Sequence, residues 1–211
     1  ALHLRSDVEV GSYLSGGIDS SLIYGLASEH SCYGLKAFHG RFLGFEGFDE
    51  SNYARDVAAS KMGSLDILDI SAQDFVDNIS KVIYHLDQPT AGPGAFPQFM
   101  VSAMASKKVK VVLGGQGADE IFGGYARYLI AYFEQCIKAA IDSSYKNGNY
   151  VVTIESIIPN LGVLRDYKPL MQEFWKDGLF GPLDQRFLRL IDRSTDMKEE
   201  VDWTQFNIPS V

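Results

Sequence analysis

Two glycine-rich turns carry the residues best suited to chemistry. The first, Ser15-Gly16-Gly17-Ile18-Asp19-Ser20-Ser21, follows a short β-branched and aromatic run from Val8 to Leu14. A strand ending in two glycines lets the backbone approach a phosphate with no Cβ in the way. The helix behind it presents unpaired N–H groups and the positive end of its dipole. Ser15, Ser20 and Ser21 add hydroxyl donors, and Asp19 can hold a magnesium ion that bridges phosphate oxygens. The spacing is not GxxxxGK[ST] and no lysine lies in the turn, so this is not a Walker A loop. Charge neutralisation then falls to metal and amides. The second turn, Gly114-Gly115-Gln116-Gly117-Ala118-Asp119-Glu120, follows the apolar run Lys108 to Leu113.

The elements that must position these turns alternate. Asp19-Ser20-Ser21 opens an apolar-periodic helix (Leu22, Ile23, Leu26) to about His30, followed by a strand from Leu35 to Phe42. After a loop with Gly44 and Gly47, Asp49-Glu50-Ser51 caps a helix through Met62, and Leu65 to Ile70 forms a third strand. Ser71 caps a helix with Phe75, Ile79, Val82, Ile83 and Leu86 on one face. Gln88 to Gly94 reads as a loop. Phe96, Phe99, Met100, Ala103 and Met104 then recur at helical spacing before the fourth strand, Lys108 to Leu113. From Tyr125 the chain is helical, with Leu129, Phe133, Cys136, Ile137 and Ala140 on one face.

This alternation predicts an α/β fold: a doubly wound, mainly parallel sheet with right-handed crossovers and a helical C-terminal extension. The expected organisation is a core over residues 1–146 and an irregular, helical extension over 147–211. Ligands of such sheets bind beyond the carboxyl ends of the strands, where both glycine-rich turns fall. The aromatics after residue 165 (Tyr167, Phe174, Trp175, Phe180, Phe187, Trp203, Phe206) read as core for sequence beyond this piece rather than as a ligand cage. Because the chain starts at Ala1 in front of a strand, it is expected to be a piece of a longer protein; exposed aromatics at a cut edge would then favour association, in the simplest case a homodimer.

Composition narrows the function. Of 211 residues 46% are hydrophobic, and 19 basic against 27 acidic residues give a net charge of −8. That balance opposes a broad nucleic-acid or anionic-membrane surface, yet allows a phosphate site made locally from amides and metal. Cys32 and Cys136 match no metal-ligand spacing and are expected to be reduced thiols of a cytoplasmic protein. No run is long and apolar enough for a membrane helix. Of His3, His30, His39 and His85, only His39 lies near the expected site, on the second strand.

The first turn, SGGIDSS, resembles the pyrophosphate loop of the N-type ATP pyrophosphatases. The second, Val112 to Tyr125 (VLGGQGADEIFGGY), resembles the asparagine synthetase motif commonly written SGEGxDExFGGY. Order and spacing match the synthetase domain of glutamine-hydrolysing asparagine synthetases over roughly residues 4–128, and Asp49-Glu50-Ser51 before a helix also looks like that family. The resemblance implies Asp19 and Asp119 as magnesium-holding carboxylates and Ser15, Gly16, Gly17, Ser20 and Ser21 as the pyrophosphate cradle. It places Leu14, Gly114 and Gly115 along the adenosine through backbone groups, with Gly40 flanking the adenine. ATP and Mg²⁺ would be required. Aspartate and ammonia would be the other substrates, the ammonia coming from an amino-terminal glutaminase domain.

Two departures bear on activity. Gln116 stands where the family has glutamate; an amide can hydrogen-bond but cannot serve as a base. The family's later SMAxSLExRxPFLD stretch and its phosphate-associated lysine are not found, although Leu183-Asp184-Gln185-Arg186-Phe187 superficially resembles the end of that stretch. Neither cysteine is placed as a glutaminase nucleophile. Two alternatives stay open: an amidotransferase of the same family with another carboxylate acceptor, and a module that binds ATP without turnover.

Overall fold

A computed structural model describes residues 2–31, 34–42, 49–87, 92, 94–143 and 154–191. Gly44, Gly47, Cys32, Trp203, Phe206 and most of the loop expected at Gln88–Gly94 lie outside them. The chain forms two compact units, Ala1–Ala118 and Asp119–Val211.

The first unit is built on a parallel sheet of β1 (Val10–Tyr13), β2 (Lys36–Phe42), β3 (Ser64–Ile70) and β4 (Val111–Leu113), in the order β3-β2-β1-β4. Between the strands run α1 (Ile18–Ser28), α2 (Ser51–Ser60), α3 (Ala72–Leu86) and α4 (Ala95–Ala105). Ala37 and Phe38, neighbours on β2, belong to different cores, as strand alternation requires. Ala37 packs with Leu14, Tyr24, Ala27, Leu35, Ala54 and Ala58, so α1 and α2 cover that face. Phe38 packs with Ile70, Val82, Phe96, Val101, Ala105 and Val109, so α3 and α4 cover the other. The expected doubly wound α/β fold is present.

Several boundaries and faces differ from expectation. β4 begins at Val111, because the Lys108 and Val109 amides still donate to the Ala105 carbonyl (2.9 Å each) and finish α4. β1 begins at Val10; the Val8 amide instead takes the Ser6 hydroxyl at 3.2 Å in a local turn. α1 turns Leu22 and Leu26 outward and buries Ser20, Tyr24, Ala27 and Ser28. Its buried face is chosen by the Tyr24 hydroxyl, which donates to the Leu35 carbonyl at 3.0 Å, and by small residues that fit close to the sheet. Burial raises the Tyr24 phenol above its ordinary pKa. On α3 the expected face narrows to Val82 and Ile79, while Phe75 is held at its edge by Phe96 (ring centroids 5.1 Å apart).

In the second unit, α5 (Ala118–Phe122) enters from the first, and α6 (Ala126–Ile141), α7 (Ile154–Ile157), a run of 3₁₀ turns over Ile158–Tyr167, α8 (Lys168–Phe174) and α9 (Leu183–Ile191) follow. Their core centres on Ile130, Leu164, Phe174 and Leu190, with Trp175 and Phe187 against it. Tyr167 and Phe180 are exposed. α6 keeps Leu129 and Phe133 against this core and Cys136 buried, as expected, but its buried side also takes in Ile130, Glu134 and Ala139, and Ala140 is exposed. The reason is Glu134. Its carboxylate accepts from both Arg186 guanidinium amino groups and from Trp175 Nε1 at 2.8 Å, with both charged side chains almost wholly buried. Among the described residues no helix is long and apolar enough to cross a membrane.

Candidate active site

Strand order reverses at β1: β2 and β3 lie on one side of it, β4 on the other. In open parallel sheets the crevice outside such a reversal receives the ligand. The first turn leaves β1 and the second leaves β4, so both open into that crevice. They also touch. A Cβ on Gly115 would meet the Ser20 amide nitrogen at 3.0 Å and Asp19 Cβ at 3.3 Å. Only a glycine lets the second turn lie on the start of α1.

The first turn is held from within. Ser15 Oγ and Ser20 Oγ are 2.9 Å apart, the Ser15 amide donates to Ser20 Oγ at 3.2 Å, and Ser20 Oγ donates to the Gly17 carbonyl at 3.1 Å. The Gly17 amide donates to Ser15 Oγ at 3.2 Å. Gly16 has φ +97° and sits against α2, where a Cβ would meet the Glu50 carbonyl oxygen at 2.8 Å. Its left-handed backbone reverses the chain. Beyond this cradle, the Ile18, Asp19 and Ser20 amides donate to no described residue, as expected of a first helical turn. Ser21 Oγ is buried and has no hydrogen-bond partner among the described residues. Such a set of aligned N–H groups and one idle hydroxyl fits an anion such as a phosphate.

Each expected site residue has a definite place. Leu14 is fully buried, its amide donating to the Phe38 carbonyl at 3.0 Å and its carbonyl meeting His39 Nδ1 at 2.8 Å. Asp19 stands on the first turn of α1. Gly40 lies within β2, where a Cβ would meet Val101 Cγ2 at 2.7 Å, so it lets α4 approach the strand. Gly114 carries the Gln116 side chain close above it: a Cβ there would meet Oε1 at 2.2 Å. Gln116 Nε2 donates to Gln98 Oε1 at 3.3 Å. Asp119 belongs to the second unit, on the first turn of α5, where its carbonyl accepts from the Gly124 amide at 2.9 Å. In the same unit the Tyr125 hydroxyl donates to Glu120 at 2.9 Å, and that bond raises the phenol pKa.

Gln98, Tyr13 and Ser102 are marked by no motif in the sequence. The Tyr13 hydroxyl lies 2.7 Å from Ser102 Oγ, which donates to the Gln98 carbonyl at 2.6 Å. Polar residues on the buried side of α4 were the available signal. At the mouth of β2, Arg41 binds Asp69 at 2.7 Å. Asp49 accepts from the Ser51 amide at 2.9 Å, and hydrogen bonds from Ser51 hold its carboxyl below the usual range. Among the described residues no three His, Cys, Asp or Glu side chains gather as a metal cluster. Magnesium does not need one, since it takes one or two carboxylates and completes its shell with phosphate oxygens and water.

A parallel sheet whose order reverses at β1, with two glycine-rich turns meeting there, defines an open α/β protein. The chain belongs to the asparagine synthase family, whose model matches residues 1–198. It is 45% identical over 130 residues to asparagine synthetase [glutamine-hydrolyzing] 1 of Bacillus subtilis, a match covering 60% of this chain and 20% of that protein. It is 39% identical over 132 residues to putative asparagine synthetase [glutamine-hydrolyzing] 2 of Methanocaldococcus jannaschii, covering 62% and 25%. With asparagine synthetase [glutamine-hydrolyzing] 3 of Arabidopsis thaliana the identity is 37% over 131 residues, covering 58% and 23%. These matches thus span about a fifth to a quarter of the relatives' length.

Proposed function

We propose that this chain is the ATP-handling part of an asparagine-forming synthetase. The observation that carries the reading is the contact of Gly115 with the start of α1, which joins both family motifs at the sheet's reversal point. In this reading the Ile18, Asp19 and Ser20 amides, with the Ser15, Ser20 and Ser21 hydroxyls, hold the β- and γ-phosphates of ATP. The α-phosphorus is left facing the acceptor. The carboxylate of aspartate attacks it, pyrophosphate departs into the cradle, and ammonia displaces AMP from the acyl group.

Asp19, with Asp119, would hold magnesium, which supplies charge neutralisation of the leaving pyrophosphate. Gly40, Gly114 and Gly115 would line the nucleoside. The chain's own work is positioning: the serine network and the glycine contacts are set before ligand arrives, so little reorganisation accompanies the reaction. Ammonia would come from a glutaminase domain. The test is ATP–pyrophosphate exchange and AMP formation with aspartate in the parent protein; ADP as the product would refute the reading.

One observation favours a second reading, binding without turnover. Gln116 is neutral and its amide is engaged with Gln98, so no base stands at that position. Mg-ATP binding with no AMP formed in the parent protein would select it.

A further inference from the structure

His39 is 5% exposed, lies on β2 outside every role assigned above, and bonds to the peptide that launches the first turn. A parallel ladder between β1 and β2 pairs Tyr13 with Phe38 and continues through the Leu14 amide to the Phe38 carbonyl at 3.0 Å. The next bond of that ladder would run from the Gly40 amide to the Leu14 carbonyl. It is not formed. The Leu14 carbonyl instead meets His39 Nδ1 at 2.8 Å. A carbonyl oxygen only accepts, so it is Nδ1 that carries the hydrogen of this bond.

We infer that His39 is a positioning residue of the phosphate cradle: its Nδ1–H caps the end of β1 and releases the chain into the Ser15–Ser21 turn. The inference rests on the reading of that turn as a phosphate site. Without the cap, the buried Leu14 carbonyl has two courses. It stays unsatisfied, or it takes the Gly40 amide and extends the strand. Extension would draw Ser15 into the ladder and away from Ser20 Oγ, to which its amide donates at 3.2 Å and its hydroxyl lies at 2.9 Å. The Gly17 amide, which leans on Ser15 Oγ at 3.2 Å, would move with it. His39 therefore acts on the ligand only through the Leu14–Ser15 peptide.

Two substitutions separate this role from ring packing. Asparagine places an N–H donor at the position of Nδ1 but is small and polar; leucine is nearer the ring in volume and has no donor. In titrations of the 211-residue chain with Mg-ATP, His39→Leu should weaken binding about tenfold or more, while His39→Asn stays within about threefold of wild type. If volume alone mattered, leucine would be the better tolerated, and that order overturns the inference. Two-bond ¹H–¹⁵N spectra of the wild-type imidazole give a second readout that survives any folding failure of the variants. A proton on Nδ1 is expected; a neutral ring protonated on Nε2 overturns the inference. Wild type that fails to bind Mg-ATP would instead refute the phosphate-site reading itself, and the role of His39 with it.

Discussion

Gly17 and Gly115 are two glycines of the candidate site that meet different surroundings. At Gly17 an added Cβ would touch only Ser15 Oγ, at 3.4 Å, so the folded chain has room for it. That space is where the proposed phosphate would approach. At Gly115 the same atom runs into the Ser20 amide at 3.0 Å and into Asp19, so the two turns must part. Gly17→Ala should keep the wild-type melting temperature and lose Mg-ATP affinity. Gly115→Ala should lose both, with a cost to folding of about 1–3 kcal/mol. Thermal melts beside calorimetric titrations check the contrast; equal melting temperatures for the two variants would contradict the geometry. The site was legible at this scale because glycine, serine and aspartate in a fixed order announce a cradle. Gln98, Tyr13 and Ser102 were not, because their contacts span up to 89 residues and depend on how α4 meets β1.

Among the elements, α3 shows what local chemistry alone can specify. Ser71 Oγ accepts from the Asp74 amide at 3.2 Å, and the Asp74 carboxylate accepts from the Ser71 amide at 2.8 Å, a reciprocal cap. Replacing Ser71 by alanine should cost about 1 kcal/mol. The Asp74 carboxyl is held below its usual range by the Ser71 hydroxyl and then by the Ser71 amide. A carboxyl lowered in the folded state stabilises above its unfolded pKa, and that contribution is lost as pH falls through the folded value. The difference in melting temperature between wild type and Ser71→Ala should therefore shrink below about pH 4. A gap that widens on acidification would contradict this sign. Capping is written in adjacent residues, so this boundary could be read directly. The outward turn of Leu22 and Leu26 on α1 could not, because Tyr24 chooses the buried face by reaching Leu35 eleven residues away.

At the scale of the molecule, the second unit depends on a charge pair that no periodicity foretells. Glu134 falls within an apolar helix, and its partner Arg186 is 52 residues further along. Burial alone would push the Glu134 carboxyl up, but hydrogen bonds from Arg186 and Trp175 outweigh it and hold the carboxyl low. The same sign applies: the pair stabilises at neutral pH and fails in acid, as pH drops through the lowered value. Arg186 also donates to the Gly181 carbonyl at 2.8 Å and lies over the Phe174 ring, so it joins α6, α8 and α9. Arg186→Met leaves the buried carboxylate only Trp175 Nε1 and the Lys138 ammonium at 3.5 Å, and should cost about 3 kcal/mol, a large part of the stability of most domains. Adding Glu134→Leu removes the stranded charge and should recover most of that loss, since a buried pair seldom outperforms well-packed apolar side chains. Urea unfolding of the two variants, with hydrogen exchange read separately for each unit, is the measurement. In Arg186→Met, protection should fall in α6, α8 and α9 and persist in β1, β2 and β3, because the sheet's cores contain none of these residues. Equal loss in the strands would mean that the two units unfold as one.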